Sequence, residues 1–124
     1  MATYSTNTTL KVNAAISSNS GTRTGAGTYS IYTSPANGYS VVNVFLTSSG
    51  PNTSSVEVVG ATIFYQNTSS SWASSAGSNT GTTGYNLFCG QAYLGPGQTI
   101  SLKIQSITSG AVRCDVSGVE FLNS

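Results

Sequence analysis

The chain has 124 residues, enough for one ordinary domain. Ser, Thr, Asn and Gly supply 63 of them, whereas Lys and Arg number 4 and Asp and Glu 3, so small polar groups do the solvating that charges usually do. A net charge of +1 excludes the composition of a highly charged disordered chain, and four scattered cations form no basic stripe for phosphates or anionic lipid.

Residues 1–7 read as a short N-terminal arm and residues 8–124 as a single domain. Leu10, Val12, Ala14 and Ile16 alternate with Lys11, Asn13 and Ala15, the period of a strand with one face inward and one in water. Tyr29, Ile31 and Thr33 repeat that pattern. They end at Ser34-Pro35-Ala36-Asn37-Gly38, where Pro fixes one backbone angle and Asn-Gly accepts the positive φ that a turn demands. Tyr39 to Thr47 is the most continuous apolar run and suits a strand covered on both faces. Further strands are expected over 56–59, 62–65, 85–94, 99–105, 112–116 and 119–122. In these, Ile100, Leu102 and Ile104 alternate cleanly, as do Val112, Cys114 and Val116. No stretch of ten residues carries the i, i+3, i+4, i+7 spacing of a helix. Eight or nine short antiparallel strands in one domain make an all-β sandwich or barrel.

The one long polar stretch, 67–84, has no strand pattern, and long irregular segments in compact domains tend to be functional or disordered. Its only large apolar side chain is Trp72, which has two readings: a lid folded back on the core or a subunit contact, or an exposed recognition aromatic. Seven tyrosines combine apolar area with a polar tip, which suits protein contacts and sugar stacking as well as ordinary core and edge positions. On the recognition reading, Trp72, Tyr65 and Tyr85 are the candidate binding residues.

Catalysis finds little to work with. The absence of histidine removes the commonest general base and metal ligand together. The carboxylates are Glu57, Asp115 and Glu120; sugar hydrolysis needs a positioned pair, and Asp115, lying between inward Cys114 and Val116, is expected to point outward. A Ser nucleophile would need Lys11 or Lys103 as its base, which no spacing supports. The chain therefore reads as a non-enzyme with no catalytic residue, no cofactor and no metal site. Cys89 and Cys114 are too few and too far apart for zinc. Two buried thiols, a disulfide and a subunit contact all remain open for them. The first residues lack the basic start and apolar run of a signal peptide, so folding in a reducing cytosol is expected, which favours buried thiols. No window approaches 18 consecutive apolar residues, so membrane insertion is not expected.

The C-terminal third carries a resemblance. Tyr93-Leu94-Gly95-Pro96-Gly97-Gln98-Thr99-Ile100-Ser101-Leu102-Lys103-Ile104, followed by Val112-Arg113-Cys114-Asp115-Val116-Ser117-Gly118-Val119-Glu120-Phe121-Leu122, resembles the closing strands of small trimeric jelly-roll modules in bacteriophage virion proteins. In outline it is similar to the heads of the tumour necrosis factor and C1q type. The resemblance covers about thirty residues. It implies a jelly-roll β-sandwich and a homotrimer on the virion exterior, assembled in the host cytoplasm, with capsid or tail proteins as further partners. The strand pattern starts within ten residues of Met1, which fits a free-standing capsid decoration or cement protein better than the tip of a long fibre. The alternative is a receptor-binding tail-fibre or attachment knob recognising a cell-surface glycan. A domain of marginal apolar content gains burial by sharing a seam between subunits, and Tyr93 and Phe121, taken as inward aromatics, are the expected seam residues.

Overall fold

Period-two alternation of apolar and small polar residues dictates strands, and strands with one apolar face must pair those faces. The computed structural model describes residues 10–49, 52–66, 72–74, 79–80 and 85–123, and within them all regular structure is antiparallel β. In chain order the strands are β1 (Leu10–Asn19), β2 (Gly27–Thr33), β3 (Gly38–Ser49), β4 (Asn52–Val58), β5 (Ala61–Gln66), β6 (Trp72–Ser74), β7 (Asn79–Thr80), β8 (Tyr85–Leu94), β9 (Thr99–Ile107) and β10 (Ala111–Asn123). They form a four-stranded sheet ordered β1-β10-β3-β8 and a six-stranded sheet ordered β2-β9-β4-β5-β6-β7. The two sheets face each other as a β-sandwich. Pairing is nested: β1 with β10, β2 with β9, β3 with β8, and β4 with β5.

The core between the sheets comes from one phase of each strand. Val42, Val44 and Leu46 on β3, Val112, Cys114 and Val116 on β10, Ile100, Leu102 and Ile104 on β9, and Val56 on β4 are buried. Phe64 and Phe88 meet across the gap at 4.9 Å between ring centroids. Gly90 makes room for them, because a Cβ there would lie 2.6 Å from the Phe64 ring.

Two tight turns show how the sequence sets the corners. Gly95-Pro96-Gly97-Gln98 links β8 to β9, with Gly97 at φ +70° and the Gln98 amide donating to the Gly95 carbonyl at 3.2 Å; Pro second and Gly third is the composition of a type II turn. Between β4 and β5 the two-residue turn is Val59-Gly60, both at positive φ, which for a β-branched valine is a strained conformation.

Several sequence expectations need correction. Strands expected separately over 112–116 and 119–122 are one continuous β10, running through Ser117 and Gly118. A Cβ on Gly118 would fall 2.0 Å from the Val41 carbonyl oxygen, so only glycine lets the strand pass there. Gly38 does not take positive φ; it is needed because a Cβ would meet the Phe121 carbonyl oxygen at 1.9 Å. The stretch 67–84 holds the two short strands β6 and β7, which extend the six-stranded sheet and bring the number of described strands to ten. Val12, expected inward, is 69% exposed, because the β1–β10 register shifts between Val12 and Ala14 and turns the start of β1 over. Finally, β3 is covered on one face only: Val41 and Phe45 are 40% and 42% exposed, since a two-layer sandwich supplies no third layer.

Candidate functional site

The register of the four-stranded sheet assembles the residues that β3 leaves uncovered. Cross-strand rows on its outer face read Val12, Phe121, Tyr39; then Ala15, Val119, Val41, Tyr93; then Ser17, Ser117, Asn43, Gln91; then Asn19, Asp115, Phe45, Cys89. The first two rows form an apolar patch. Tyr39 lies at its centre, with ring centroids 5.4 Å from both Tyr93 and Phe121 in tilted contact, geometry that aromatic pairs favour. Tyr93 is 61% exposed, so this stack is open to solvent in the single chain.

The third row is a polar band in which the Gln91 amide donates to Asn43 Oδ1 at 3.2 Å. Together with the fourth row it lines an open groove of about 540 Å³. Among the described residues, the only charged side chains that the register places on this face are Arg113 and Asp115, and they are paired. The guanidinium donates twice to the carboxylate, Nε to Oδ2 at 2.9 Å and Nη2 to Oδ1 at 3.0 Å. That pairing holds the Arg113 pKa above its ordinary value. The face as a whole is apolar or neutral.

The sequence-predicted site residues separate on this frame. Tyr93 and Phe121 do come together, through Tyr39, but on the outer face of the sheet and not in the sandwich interior, because both share the phase of Val41 and Val119. Tyr65 lies on β5, exposed on the outer face of the other sheet. Trp72 lies one strand further along, where Ala73 pairs with Tyr65, while Tyr85 opens β8 in the four-stranded sheet, opposite Ser49. The side chains of Trp72 and Tyr85 lie outside the described residues. Asp115 and Glu120 stand on opposite faces of β10, an odd number of residues apart, so β10 does not place them as a facing pair.

Glu120 has a different setting, one that its place in the sequence did not reveal. It shares the inward phase of Cys114 and Val116, and its carboxylate accepts hydrogen bonds from the Tyr32 phenol on β2 and the Asn13 amide at the β1 bulge. The Tyr32 hydroxyl also lies 2.9 Å from Ser40 Oγ, which in turn is 2.9 Å from Ser34 Oγ. Desolvation first, and then donation to Glu120, raise the Tyr32 pKa above its ordinary value. This chain of hydroxyls and one carboxylate ties the sheets together at one end.

Both cysteines are free. Cys114 is buried as expected, and its thiol is pushed up to about 12, by burial first and by the Asp115 charge second. Cys89 corrects the expectation of two buried thiols: it is exposed, because it shares the outward phase of Gln91 and Tyr93. The two flank β3 on opposite faces of the sheet, which precludes a bond between them within one chain.

The outer face of the six-stranded sheet has the opposite character. Its rows read Thr28, Lys103, Ser55, Tyr65 and Ser30, Ser101, Glu57, Thr62. Hydroxyls dominate, with one aromatic and two charges of opposite sign. Comparison with protein-family models, with curated proteins and with solved structures found no match.

Proposed function

We propose that this chain is a non-enzymatic structural protein of a bacteriophage virion exterior, a jelly-roll module that assembles as a homotrimer and decorates the capsid. The nested strand pairing supports the jelly roll. First strand lies against last and second against last but one, and among the eight longer strands every connection except the β4–β5 hairpin passes from one sheet to the other.

The observation that carries the self-association is the outer face of the four-stranded sheet. A contiguous apolar patch, made of exposed Val12, Val41 and Tyr93 with half-buried Tyr39, Val119 and Phe121 between them, is the kind of surface that monomers avoid and interfaces bury. Among the described residues, the Arg113–Asp115 pair leaves no lone charge on that face to desolvate. Tyr93 and Phe121 thus remain the proposed seam, joined by Tyr39. Placement on a virion rests on the likeness of the C-terminal motifs to phage modules.

Light scattering on the purified protein tests the assembly: three chains of 12.7 kDa are expected, and a stable monomer overturns it. Counting copies on particles that carry the protein tests the location. Hundreds of copies fit decoration, and a handful at the tail would replace it with the attachment reading. That second reading is favoured by the other sheet, where Tyr65 stands exposed beside Glu57 and Lys103.

A further inference from the structure

We propose that the outer face of the six-stranded sheet holds a subsite for one neutral sugar ring, with Tyr65 as its stacking platform. Tyr65 on β5, Glu57 on β4, and Lys103 and Gln105 on β9 border a hollow of about 270 Å³, with Thr62 at its edge. The register places Tyr65 in one row with Ser55 and Lys103, and Glu57 in the next row beside Thr62. Tyr65 is 40% exposed, so much of its ring is available to a ligand.

The chemistry around the ring selects the ligand class. Among the described residues, Glu57, Lys103 and Gln105 make no side-chain hydrogen bond or ion pair with one another or with a neighbour. A carboxylate can only accept, an ammonium can only donate, and an amide does both. A group of this kind is matched by a ligand whose every polar group both donates and accepts, which describes a sugar hydroxyl. The ring carrying those hydroxyls has an apolar C–H face for the tyrosine. One positive and one negative charge in the same hollow leave it neutral, so a phosphate or carboxylate ligand gains from Lys103 what it loses to Glu57. The pattern of few convergent polar groups on an aromatic base is that of a ligand site.

This subsite is independent of the trimer, because it uses the sheet facing away from the proposed seam. It deepens the attachment reading, on which its sugar ligand rests, by narrowing the glycan to one neutral ring seated on Tyr65.

The test is a titration of the isotopically labelled full chain with D-glucose, D-galactose, L-rhamnose and N-acetyl-D-glucosamine, followed by amide shifts. At least one sugar is expected to shift the amides of Ser55, Glu57, Thr62 and Lys103 saturably. Tyr65→Ala should weaken that binding about tenfold, the size of one lost aromatic contact with its buried area. Tyr65→Phe should keep most of it, and Glu57→Gln and Lys103→Met should each weaken it several-fold. All four substitutions are on an open sheet face, so an unchanged melting temperature verifies the fold. Failure of all four sugars overturns the proposal, as does binding that survives Tyr65→Ala or maps to Asn43 and Gln91. Light scattering on the same samples reports the trimer separately, so either idea can fall alone.

Discussion

The phenol of Tyr32 donates a hydrogen bond to the Glu120 carboxylate, across 88 residues of chain and from one sheet to the other. Asn13 holds the second carboxylate oxygen from β1, so a single acidic side chain links β1, β2 and β10. An inward-phased carboxylate is costly unless its oxygens are bonded, and here both are. Tyr32→Phe is expected to lower the unfolding free energy by about 2 kcal/mol, the usual loss for a hydrogen bond to a charged group. Glu120→Gln should cost less, because an amide oxygen still accepts from the phenol. Urea denaturation of the two variants side by side checks the order.

The aromatic stack of Tyr93, Tyr39 and Phe121 supplies the second prediction. Tyr93→Glu places a lone carboxylate in an otherwise uncharged patch, and burying it unpaired in a subunit contact costs several kcal/mol. The variant is expected to run as a monomer of 12.7 kDa with an unchanged circular dichroism spectrum, since Tyr93 is largely exposed in the single chain. A variant that keeps the mass of the parent oligomer places the seam elsewhere.

Val59 is the one non-glycine among the described residues with a positive φ, at 51°, and it is followed by Gly60 at 76°. A β-branched side chain pays about 1–2 kcal/mol for that conformation, whereas asparagine is at home there. Val59 is exposed and its replacement sacrifices no core contact. Val59→Asn should therefore raise the unfolding free energy by about 1 kcal/mol, read as a higher melting temperature. A lower one would mean that the valine makes a contact worth more than the strain.

Alkaline pH should unfold the protein through Cys114 and Tyr32. The Cys114 thiol rises from 9.0 to about 12 on folding, so between those values the native state holds a proton that the unfolded chain releases. Stability is full below about 9 and falls as pH rises toward about 12. The raised Tyr32 pKa acts in the same direction above its ordinary value. Cys114→Ala should flatten the decline between pH 9 and 11, which urea denaturation at a series of pH values measures. In the native protein at pH 8, a thiol reagent should modify Cys89 alone, and Cys114 only once urea is added.

Much of the fold could be read from the chain because alternation survives in strands such as β9, where Ile100, Leu102 and Ile104 are the buried set expected of them. Elsewhere strand pairing, and not periodicity, decides which face a residue takes. The bulge beside Asn13 inverts Val12, and no local signal marks it. The continuous run in β3 was correctly apolar on both faces, yet it predicted a covering layer that one chain does not contain. That same mismatch marks the face proposed as the seam, where Val41 and Phe45 stand exposed in the single chain. Glu120 illustrates the limit for polar sites. Its partners Asn13 and Tyr32 are 107 and 88 residues away, and only the sheet order brings them to it.

The pairing of Leu10 with Asn123 leaves the first and last described residues side by side on neighbouring strands. In a chain trimmed to residues 10–123, a few added residues would bridge them and close the backbone into a loop, which could then be opened instead at the exposed Val59-Gly60 turn. Such a permuted version would keep both sheets while moving its ends to a different corner of the molecule, so peptides could be displayed from either location on one scaffold.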